Sequence, residues 1–570
     1  MDINLNKEKF DLAVQNLKKK NINAAIELFE KILLNDPNHL QSNFILGTIC
    51  AQSKNFDKAH NLLNKAIQIK PFFLEAHNNL GLLHMQLRQL EKAKKCFETV
   101  LSINPNYSDA YNNLGMTLIN SDKKDEAKKN FEKAIEINKK NFQAILNLGL
   151  VYKSLDKTEL AEKLIKESID INPKFLSGHI NLMQMYEKLN EDEKLNESIN
   201  NAEINFKDIP IIKLYKGKLL YKNENFLEAI NNLKDINFET SNLIFELNRC
   251  STLAKSYDQL DKNKDAFEYF KKSNEINFQI SKGKKNKNNF LKLISVRKNF
   301  FNSFEIGKWP STKIENKKKD PIFLIGFPRS GTTLLDTILR SHPSIKVIEE
   351  LPILENIIGK LSKNINGDFN KLKNINENLL TQLSNEYYEN RTKIIKQEDD
   401  EKIYIDKMPL NIVYTGEILR IFPNAKFILT LRHPYDCVLS SFMQPFKIND
   451  AMANFLNLED SANLYVKVME LWLKYLKSFS INFHSIKYEN IVFDFDKTIR
   501  SIIEFLDLPW SENVLNFQDT AKNRSLINTP SYNQVVKPIY NKSVGRWKHY
   551  EKEISSIIPV LSPWIKKFNY

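Results

Sequence analysis

The chain of 570 residues contains only four cysteines, and none of them lies in a CxxC pair or in a cluster with histidine. This pattern excludes a disulfide framework and a zinc site with the usual ligand spacing, and it indicates a reducing compartment. The chain also lacks any uninterrupted apolar run of about 18 residues, and its first residues contain no apolar signal-peptide core. We therefore expect a cytoplasmic protein with no membrane insertion.

The basic residues of this chain are not accompanied by the aromatic residues that a nucleic-acid site needs. The formal net charge is +14, but lysine, asparagine and isoleucine are abundant along the whole chain, which indicates compositional bias. The basic stretch SKGKKNKNN, at 281 to 289, contains no aromatic side chain on which bases could stack. We predict no nucleic-acid partner, and we interpret residues 281–319 as a basic linker between two domains.

Small residues and prolines recur through the first half of the chain at a period of 34. The recurring positions are prolines 37, 71, 105 and 173, glycines 47, 81, 115 and 149, and alanines 59, 93, 127 and 161. Small residues allow two helices to approach closely, and proline stops the second helix. The pattern predicts a helical hairpin that is repeated about five times.

This periodicity resembles the tetratricopeptide repeat over residues 8–206, with weaker units up to about residue 280. Two late positions depart from it, since Met183 stands in place of glycine and Leu195 in place of alanine. The resemblance implies an α-solenoid, here residues 1–280, with a groove that holds peptides or packs on another domain. Three roles stay open for the repeats: they bind a protein acceptor, form a homo-oligomer, or brace the second domain.

Residues 320 to 350 predict a strand, a phosphate-binding loop, a helix and a second strand. The apolar residues 322 to 325 suit a strand that is buried on both faces of a parallel sheet. After it, Gly326 and Gly331 allow a sharp turn and a close approach of the backbone to a ligand. The first amides of the following helix then face an anion.

The loop has the glycine spacing of a Walker A motif but lacks its lysine. Thr332 and Thr333 stand where that motif requires lysine and then serine or threonine, and the positive charge comes from Arg329 instead. Walker lysine binds the β and γ phosphates of a nucleoside triphosphate. A ligand with no γ-phosphate therefore fits this loop better.

Apolar strand candidates then alternate with amphipathic helices: IFLIGF, KVIEE, KIYID, KFILTL and FHSIKY. This alternation predicts a parallel sheet with helices on both faces, and a ligand beyond the carboxyl ends of the strands. Arg432 follows the fourth candidate and Ser440 lies two turns along the next helix, so they can hold a second phosphate. The alternative is that Arg432 only pairs with Asp436.

Two linked segments, GFPRSGTTLLDTILRSHP and FILTLRHPYDCVLSSF, resemble the 5′-phosphosulfate loop and the 3′-phosphate motif of the sulfotransferases. The resemblance covers residues 320–570 and is nearest to the tyrosylprotein type, which includes bacterial proteins with tetratricopeptide repeats. It implies 3′-phosphoadenosine 5′-phosphosulfate as the donor, with no metal. The implied donor-binding residues are Arg329, Ser330, Gly331, Thr332, Thr333, Arg432, Ser440, Tyr488 and Arg546.

Two of these matches depart from the family pattern. Arg546 stands in place of the usual lysine in the closing segment, which keeps the charge but alters its geometry. Gln444 stands where the tyrosylprotein group has a further arginine, so one contact to the 3′-phosphate is in doubt.

The reaction needs a base for the acceptor hydroxyl and a cation for the departing oxygen. By resemblance, Glu350 is the base, and Lys407 stabilises the leaving oxygen with the help of Ser531. The alternative for Glu349 and Glu350 is a charge pair before the helix that starts near LPILENIIGKL. His342, which directly follows the first helix of this domain, is expected to cap that helix.

These patterns predict a multidomain α plus α/β protein: a solenoid at 1–280, a linker at 281–319 and a P-loop-like α/β sulfotransferase domain with a parallel sheet at 320–570. The predicted reaction moves a sulfuryl group to a hydroxyl, and a protein tyrosine, a sugar and a lipid all remain open as acceptors. Two alternatives are an interaction scaffold with an inactive nucleotide-binding domain, and a P-loop kinase that requires ATP and magnesium. Thr332 argues against the kinase.

Overall fold

The computed structural model describes residues 2–238, 242–281, 286–303, 309, 320–395, 402–522, 539 and 541–570. The chain divides into two compact units, Met1–Leu219 and Leu220–Tyr570. Within the described residues, no helix combines the length and the apolar character that a membrane span requires.

The first unit consists of successive antiparallel helical hairpins. Its helices are α1 Asp2–Lys18, α2 Ile22–Asn35, α3 Leu40–Gln52, α4 Phe56–Ile69, α5 Leu74–Gln86, α6 Leu90–Ile103, α7 Ser108–Asn120, α8 Lys124–Ile137, α9 Phe142–Ser154, α10 Thr158–Ile171, α11 Leu176–Leu189 and α12 Asp192–Asn205, and α13 Pro210–Lys222 crosses the unit boundary. The predicted α-solenoid of helical repeats is confirmed.

The periodic glycines bring the two helices of a hairpin together. A methyl group at Gly81 would lie 2.6 Å from the ring of Phe97, and Gly115 has the same relation to Phe131. Both rings are fully buried. Met183, which replaces glycine in a later hairpin, is also fully buried, so this hairpin keeps a filled core.

The second unit contains a five-stranded sheet with all neighbouring strands parallel, in the order β2-β3-β1-β4-β5. The strands are β1 Ile322–Gly326, β2 Ile345–Glu349, β3 Ile403–Lys407, β4 Lys426–Leu431 and β5 Asn482–Lys487. Every residue of β1 is buried, as expected for a central strand with helices on both faces. The five strand candidates and the parallel sheet are confirmed.

The α-helices of this unit are α14 Phe226–Leu233, α15 Leu243–Gln259, α16 Asn263–Ser281, α17 Lys287–Ser303, α18 Thr332–Arg340, α19 Ile353–Asn364, α20 Glu377–Ile395, α21 Thr415–Ile421, α22 Pro434–Phe442, α23 Leu458–Ser478, α24 Tyr488–Phe493, α25 Phe495–Phe505, α26 Phe517–Lys522 and α27 Ile558–Lys567. Two apolar cores cover the two faces of the sheet. Phe323 and Ile325 of β1 belong to one core and Leu324 to the other.

Part of the segment expected to be a solvated linker is folded. Within residues 281–319, α17 buries Phe290, Ile294 and Phe301 in the larger core of the second unit. The basic composition of this segment led the sequence analysis to miss the helix, because the apolar residues of the helix lie after the lysine run rather than within it.

The predicted helix cap at His342 is wrong. Its Nε2 lies 2.9 Å from the carbonyl oxygen of Pro509, and its Nδ1 accepts a hydrogen bond from the amide of Ser344. The imidazole therefore links the turn after α18 to Pro509, and it does not bind the carbonyl groups at the end of α18.

Candidate active site

The predicted site residues come together where the parallel strands end. Gly326 at the end of β1 pairs with Thr430 of β4, and Glu349 at the end of β2 pairs with Lys407 at the end of β3. The segments that follow these strands surround a cavity of about 740 Å³. This is the edge at which a parallel α/β sheet binds its ligand.

The loop after β1 takes the shape that the glycines predicted. Gly331 has φ +99° at the start of α18, and a methyl group there would lie 2.7 Å from Tyr488. Arg329 also has a left-handed backbone, with φ 69°. Ser330 shares a 2.7 Å hydrogen bond with Thr430, which ties the loop to the neighbouring strand.

Arg432 lies on the cavity wall with only 7% of its surface exposed. Its Nη1 and Nη2 donate to the carbonyl oxygens of Arg329 and Ser543, at 3.0 and 2.5 Å. Its Nε is buried and has no hydrogen-bond partner among the described residues. The guanidinium lies over the ring of Tyr488 at 5.0 Å, so the arginine is fixed in place on the cavity wall.

The carboxylate of Asp436 accepts hydrogen bonds from other groups. This argues against the alternative in which Arg432 only pairs with Asp436. Its two carboxylate oxygens accept hydrogen bonds from the amides of Gly545 and Trp547, at 2.7 and 2.8 Å. The aspartate therefore anchors the last part of the chain beside the cavity.

The two basic motifs are in direct contact. Arg329 Nε donates to Ser440 Oγ at 3.1 Å, so the loop after β1 meets the helix after β4. Both residues line the same cavity as Arg432. The loop and the helix that the sequence assigned to two different anionic groups therefore meet on the wall of one cavity.

Lys407 is fully buried, and its Nζ lies 2.6 Å from Glu350 Oε1. The same nitrogen is 3.4 Å from Thr333 Oγ1 and 3.6 Å from Glu349 Oε1. Glu350 lines the cavity with a third of its side chain exposed, and it has φ 47°. The structure thus joins the expected base, the expected cation and the phosphate loop.

Tyr488 and Arg546 also line the cavity. Arg546 is held by Asp258 of α15, with Nη2 2.7 Å from its carboxylate, and Tyr550 donates to the same oxygen. Ser531 lies outside the described residues. Gln444 is not among the residues that line the cavity.

Sequence reasoning missed the apolar residues that also line this cavity. They include Phe290 of α17, Met408 and Leu410 after β3, and Phe446, Ile448 and Met452 after α22. The residues after β3 and α22 could have been suspected, because they directly follow Lys407 and Ser440. Phe290 could not, because it is distant in sequence from both motifs.

Two carboxyl groups near the cavity have raised pKa values. Burial raises the pKa of Glu355, which lines the cavity on the first turn of α19. Burial also raises the pKa of Asp406 to about 7, although the hydroxyl of Tyr387 donates to it at 3.0 Å and opposes this shift. Asp406 immediately precedes Lys407 on β3, where successive side chains point to opposite faces of the sheet.

Comparison with known protein families finds two types of match. Residues 321–512 match the sulfotransferase family. Tetratricopeptide repeats match at residues 10–72, 74–107, 108–141 and 142–175. Both resemblances that the sequence suggested are confirmed.

The similar curated proteins include an uncharacterized protein of Aquifex aeolicus, 32% identical over 260 residues, which are 44% of this chain and 33% of that protein. Protein-tyrosine sulfotransferase 1 of Danio rerio is 23% identical over 45% of this chain and 74% of its own length. Protein-tyrosine sulfotransferase A of Caenorhabditis elegans is 26% identical over 45% of this chain and 68% of its own. The chain thus spans about a third of the first of these relatives.

Two of the similar solved structures each cover less than half of this chain. The crystal structure of MamA is 24% identical, with TM-score 0.26, and covers 29% of this chain and 96% of its own. A tetratricopeptide repeat protein from Parabacteroides merdae is 17% identical, with TM-score 0.36, and covers 44% of this chain and 98% of its own.

Proposed function

Because the chain joins tetratricopeptide repeats to a domain of the sulfotransferase family, we propose that it moves a sulfuryl group from 3′-phosphoadenosine 5′-phosphosulfate to an acceptor hydroxyl. The observation that carries the proposal is a single cavity lined by Arg329, Arg432 and Glu350, with the buried Lys407 bonded to Glu350. Cations for a donor with anionic groups at its 3′ and 5′ positions and a carboxylate for a proton thus line one cavity.

The donor supplies an electrophilic sulfur on a nucleotide leaving group. The amides at the start of α18 and the hydroxyls of Thr332 and Thr333 are suited to its 5′ end. Arg432 and Ser440, which line the same cavity, are suited to the 3′-phosphate. Gly331 leaves room for close approach, since a side chain there would collide with Tyr488.

Glu350 takes the proton from the acceptor hydroxyl as that oxygen attacks sulfur. Lys407 stabilises the negative charge that develops on the departing oxygen, and its contact with Thr333 places it beside the phosphate loop. Ser531 is proposed to assist it. Arg546 is proposed to bind the donor from the cavity edge, where Asp258 holds it.

A protein tyrosine is the proposed acceptor, supported by the protein-tyrosine sulfotransferases among the relatives. The repeats are proposed to present the protein that carries it. Sugar and lipid hydroxyls demand the same base and cation, so the pocket rather than the chemistry distinguishes these acceptors.

Calorimetry with adenosine 3′,5′-bisphosphate, the expected product, tests the proposal against the kinase alternative. We expect the bisphosphate to bind the full chain without added metal, and ATP with magnesium to bind more weakly, because Thr332 replaces the lysine that contacts the β and γ phosphates. Binding of ATP but not of the bisphosphate would overturn the assignment. If the bisphosphate binds but none of the tyrosine peptides, sugars and lipids is sulfated, the inactive scaffold is favoured.

A further inference from the structure

Residues 443–451, the loop after α22, contribute much of the cavity wall that is not part of the basic motifs. Pro445, Phe446, Ile448 and Ala451 of this loop line the cavity, together with the polar Lys447 and Asn449. The side chains suited to the anionic donor, Arg329, Arg432 and Ser440, belong to other segments of the wall. The apolar side chains of the loop cannot pair with phosphate or sulfate oxygens, so they suit the acceptor better than the donor.

This loop is held by a helix that precedes the part of the chain matched to the sulfotransferase family. Asn274 and Asn277 lie one turn apart on α16, so their side chains share one face. Asn274 Nδ2 donates to the carbonyl oxygen of Phe442 at 2.9 Å, and Asn277 Nδ2 donates to that of Phe446 at 2.8 Å. Both asparagines are buried, at 4% and 6% exposure.

Neighbouring contacts fix the same loop from both sides. The ring of Phe267 on α16 stacks on Phe442 at 5.2 Å. At the other end of the loop, Asp450 accepts hydrogen bonds from the amide of Asn286 and from Nδ2 of Asn289, each at 3.0 Å. Phe290, on the next position of α17, lines the cavity itself.

We infer that Asn274 and Asn277 are positioning residues that set the shape of an apolar acceptor pocket by holding the loop at 443–451. The pocket takes an aromatic hydroxyl compound. A sugar hydroxyl that faces Phe290, Phe446 or Ile448 would find no partner there, which costs binding energy, and only Lys447 and Asn449 of this loop have side chains that could pair with it. This inference rests on the proposed sulfotransfer.

The test measures two affinities by calorimetry on the full chain. One ligand is adenosine 3′,5′-bisphosphate, and the other is 2-naphthol added to the protein saturated with bisphosphate. We expect the wild-type protein to bind both, and Asn274→Leu with Asn277→Leu to lower the affinity for 2-naphthol by about tenfold or more while the affinity for bisphosphate stays unchanged. Leucine has the same number of side-chain heavy atoms and the same branching as asparagine; it is bulkier and cannot donate to the loop carbonyls.

Asn248→Leu is the matched control, because its Nδ2 donates only within α15, at an exposed position. If the double variant does not fold, the single Asn277→Leu variant replaces it, with hydrogen exchange of residues 443–451 as a further readout. Equal loss of both affinities, unchanged naphthol binding, or a wild-type protein that binds bisphosphate but not naphthol would overturn the inference. Failure of bisphosphate binding in the wild-type protein would instead overturn the proposed function.

Discussion

The Nζ of Lys407 lies 2.6 Å from Oε1 of Glu350, at the ends of two neighbouring strands. The backbone reinforces this contact, because the amide of Glu350 donates to the carbonyl oxygen of Lys407 at 2.8 Å. The proposed base and the proposed cation are therefore positioned by the same strand pairing. We expect a change at Glu350 to be separable from donor binding, for which other residues are proposed.

Glu350→Gln should lower turnover by about 10²- to 10⁴-fold, the usual contribution of a general base. The amide keeps the shape of the side chain but cannot accept the proton, so the affinity for adenosine 3′,5′-bisphosphate should stay the same. Turnover with a sulfated acceptor and calorimetry measure the two effects. Glu504→Gln, at an exposed position on α25, is the control. Wild-type turnover in Glu350→Gln would require another base.

Arg432→Ala should weaken bisphosphate binding by about ten- to a hundredfold, because a charged hydrogen bond to the phosphate is lost. Arg432→Lys should have an intermediate effect, since it keeps the charge but not the paired donors. Calorimetry measures the affinity, and Arg500→Ala, whose guanidinium contacts Asp496 on the surface, is the control. Equal bisphosphate affinities for all three variants would mean that the 3′-phosphate does not bind at Arg432.

Gly331→Ala should reduce bisphosphate affinity by about tenfold, because the left-handed φ of +99° is strained for alanine and the methyl group would meet Tyr488 at 2.7 Å. Gly359→Ala is the matched control, since a methyl group there meets nothing within 4 Å. In the interior of α19 this control should raise stability by about 0.5 to 1 kcal/mol. Thermal unfolding and calorimetry distinguish the two variants. An unchanged affinity in Gly331→Ala would show that the loop can open without loss.

A fragment of residues 220–570 should bind bisphosphate as the full chain does, whereas a fragment of residues 320–570 should aggregate. The shorter fragment lacks Phe301, whose ring packs against Tyr475 at 5.0 Å in the core. It also lacks Asp258, which holds Arg546. Size-exclusion chromatography and calorimetry on both fragments check this. A monomeric 320–570 fragment with full affinity would contradict it.

Asp406→Asn should stabilise the protein more at pH 8 than at pH 4. The folded pKa of Asp406 is about 7, above its unfolded value of about 3.9, so the native state holds a proton that the unfolded state releases. The contribution of this group to stability is therefore full below about pH 4 and declines as the pH rises to about 7. Melting temperatures of variant and wild type across this range test it. A difference that does not change with pH would mean that Asp406 ionises as in the unfolded chain.

The sequence was informative where a residue type has one physical purpose. Gly326 and Gly331 predicted a turn that a side chain would block, and the period of 34 predicted hairpins in which Gly81 meets Phe97. Local patterns of this kind predict strands and repeats, because both depend on residues that are close together along the chain.

Other features depend on contacts between residues that are far apart in sequence. The contact of Arg329 with Ser440 spans 111 residues, and that of Asp258 with Arg546 spans 288. The same applies to α17, where a basic stretch suggested a linker although the apolar residues that follow it pack into the core.

By itself, the sequence determined the repeats, the order of the strands along the chain and the residues that follow each strand, because periodicity and strand ends are local properties. Only the tertiary structure decided that the order across the sheet is β2-β3-β1-β4-β5, which sets Glu349 beside Lys407 and Gly326 beside Thr430. It also decided that Phe290 of α17 lines the cavity and that α16 holds the loop at 443–451. The strand order and these contacts depend on which apolar faces pack together. That packing is determined by interactions among all parts of the chain and not by any local pattern.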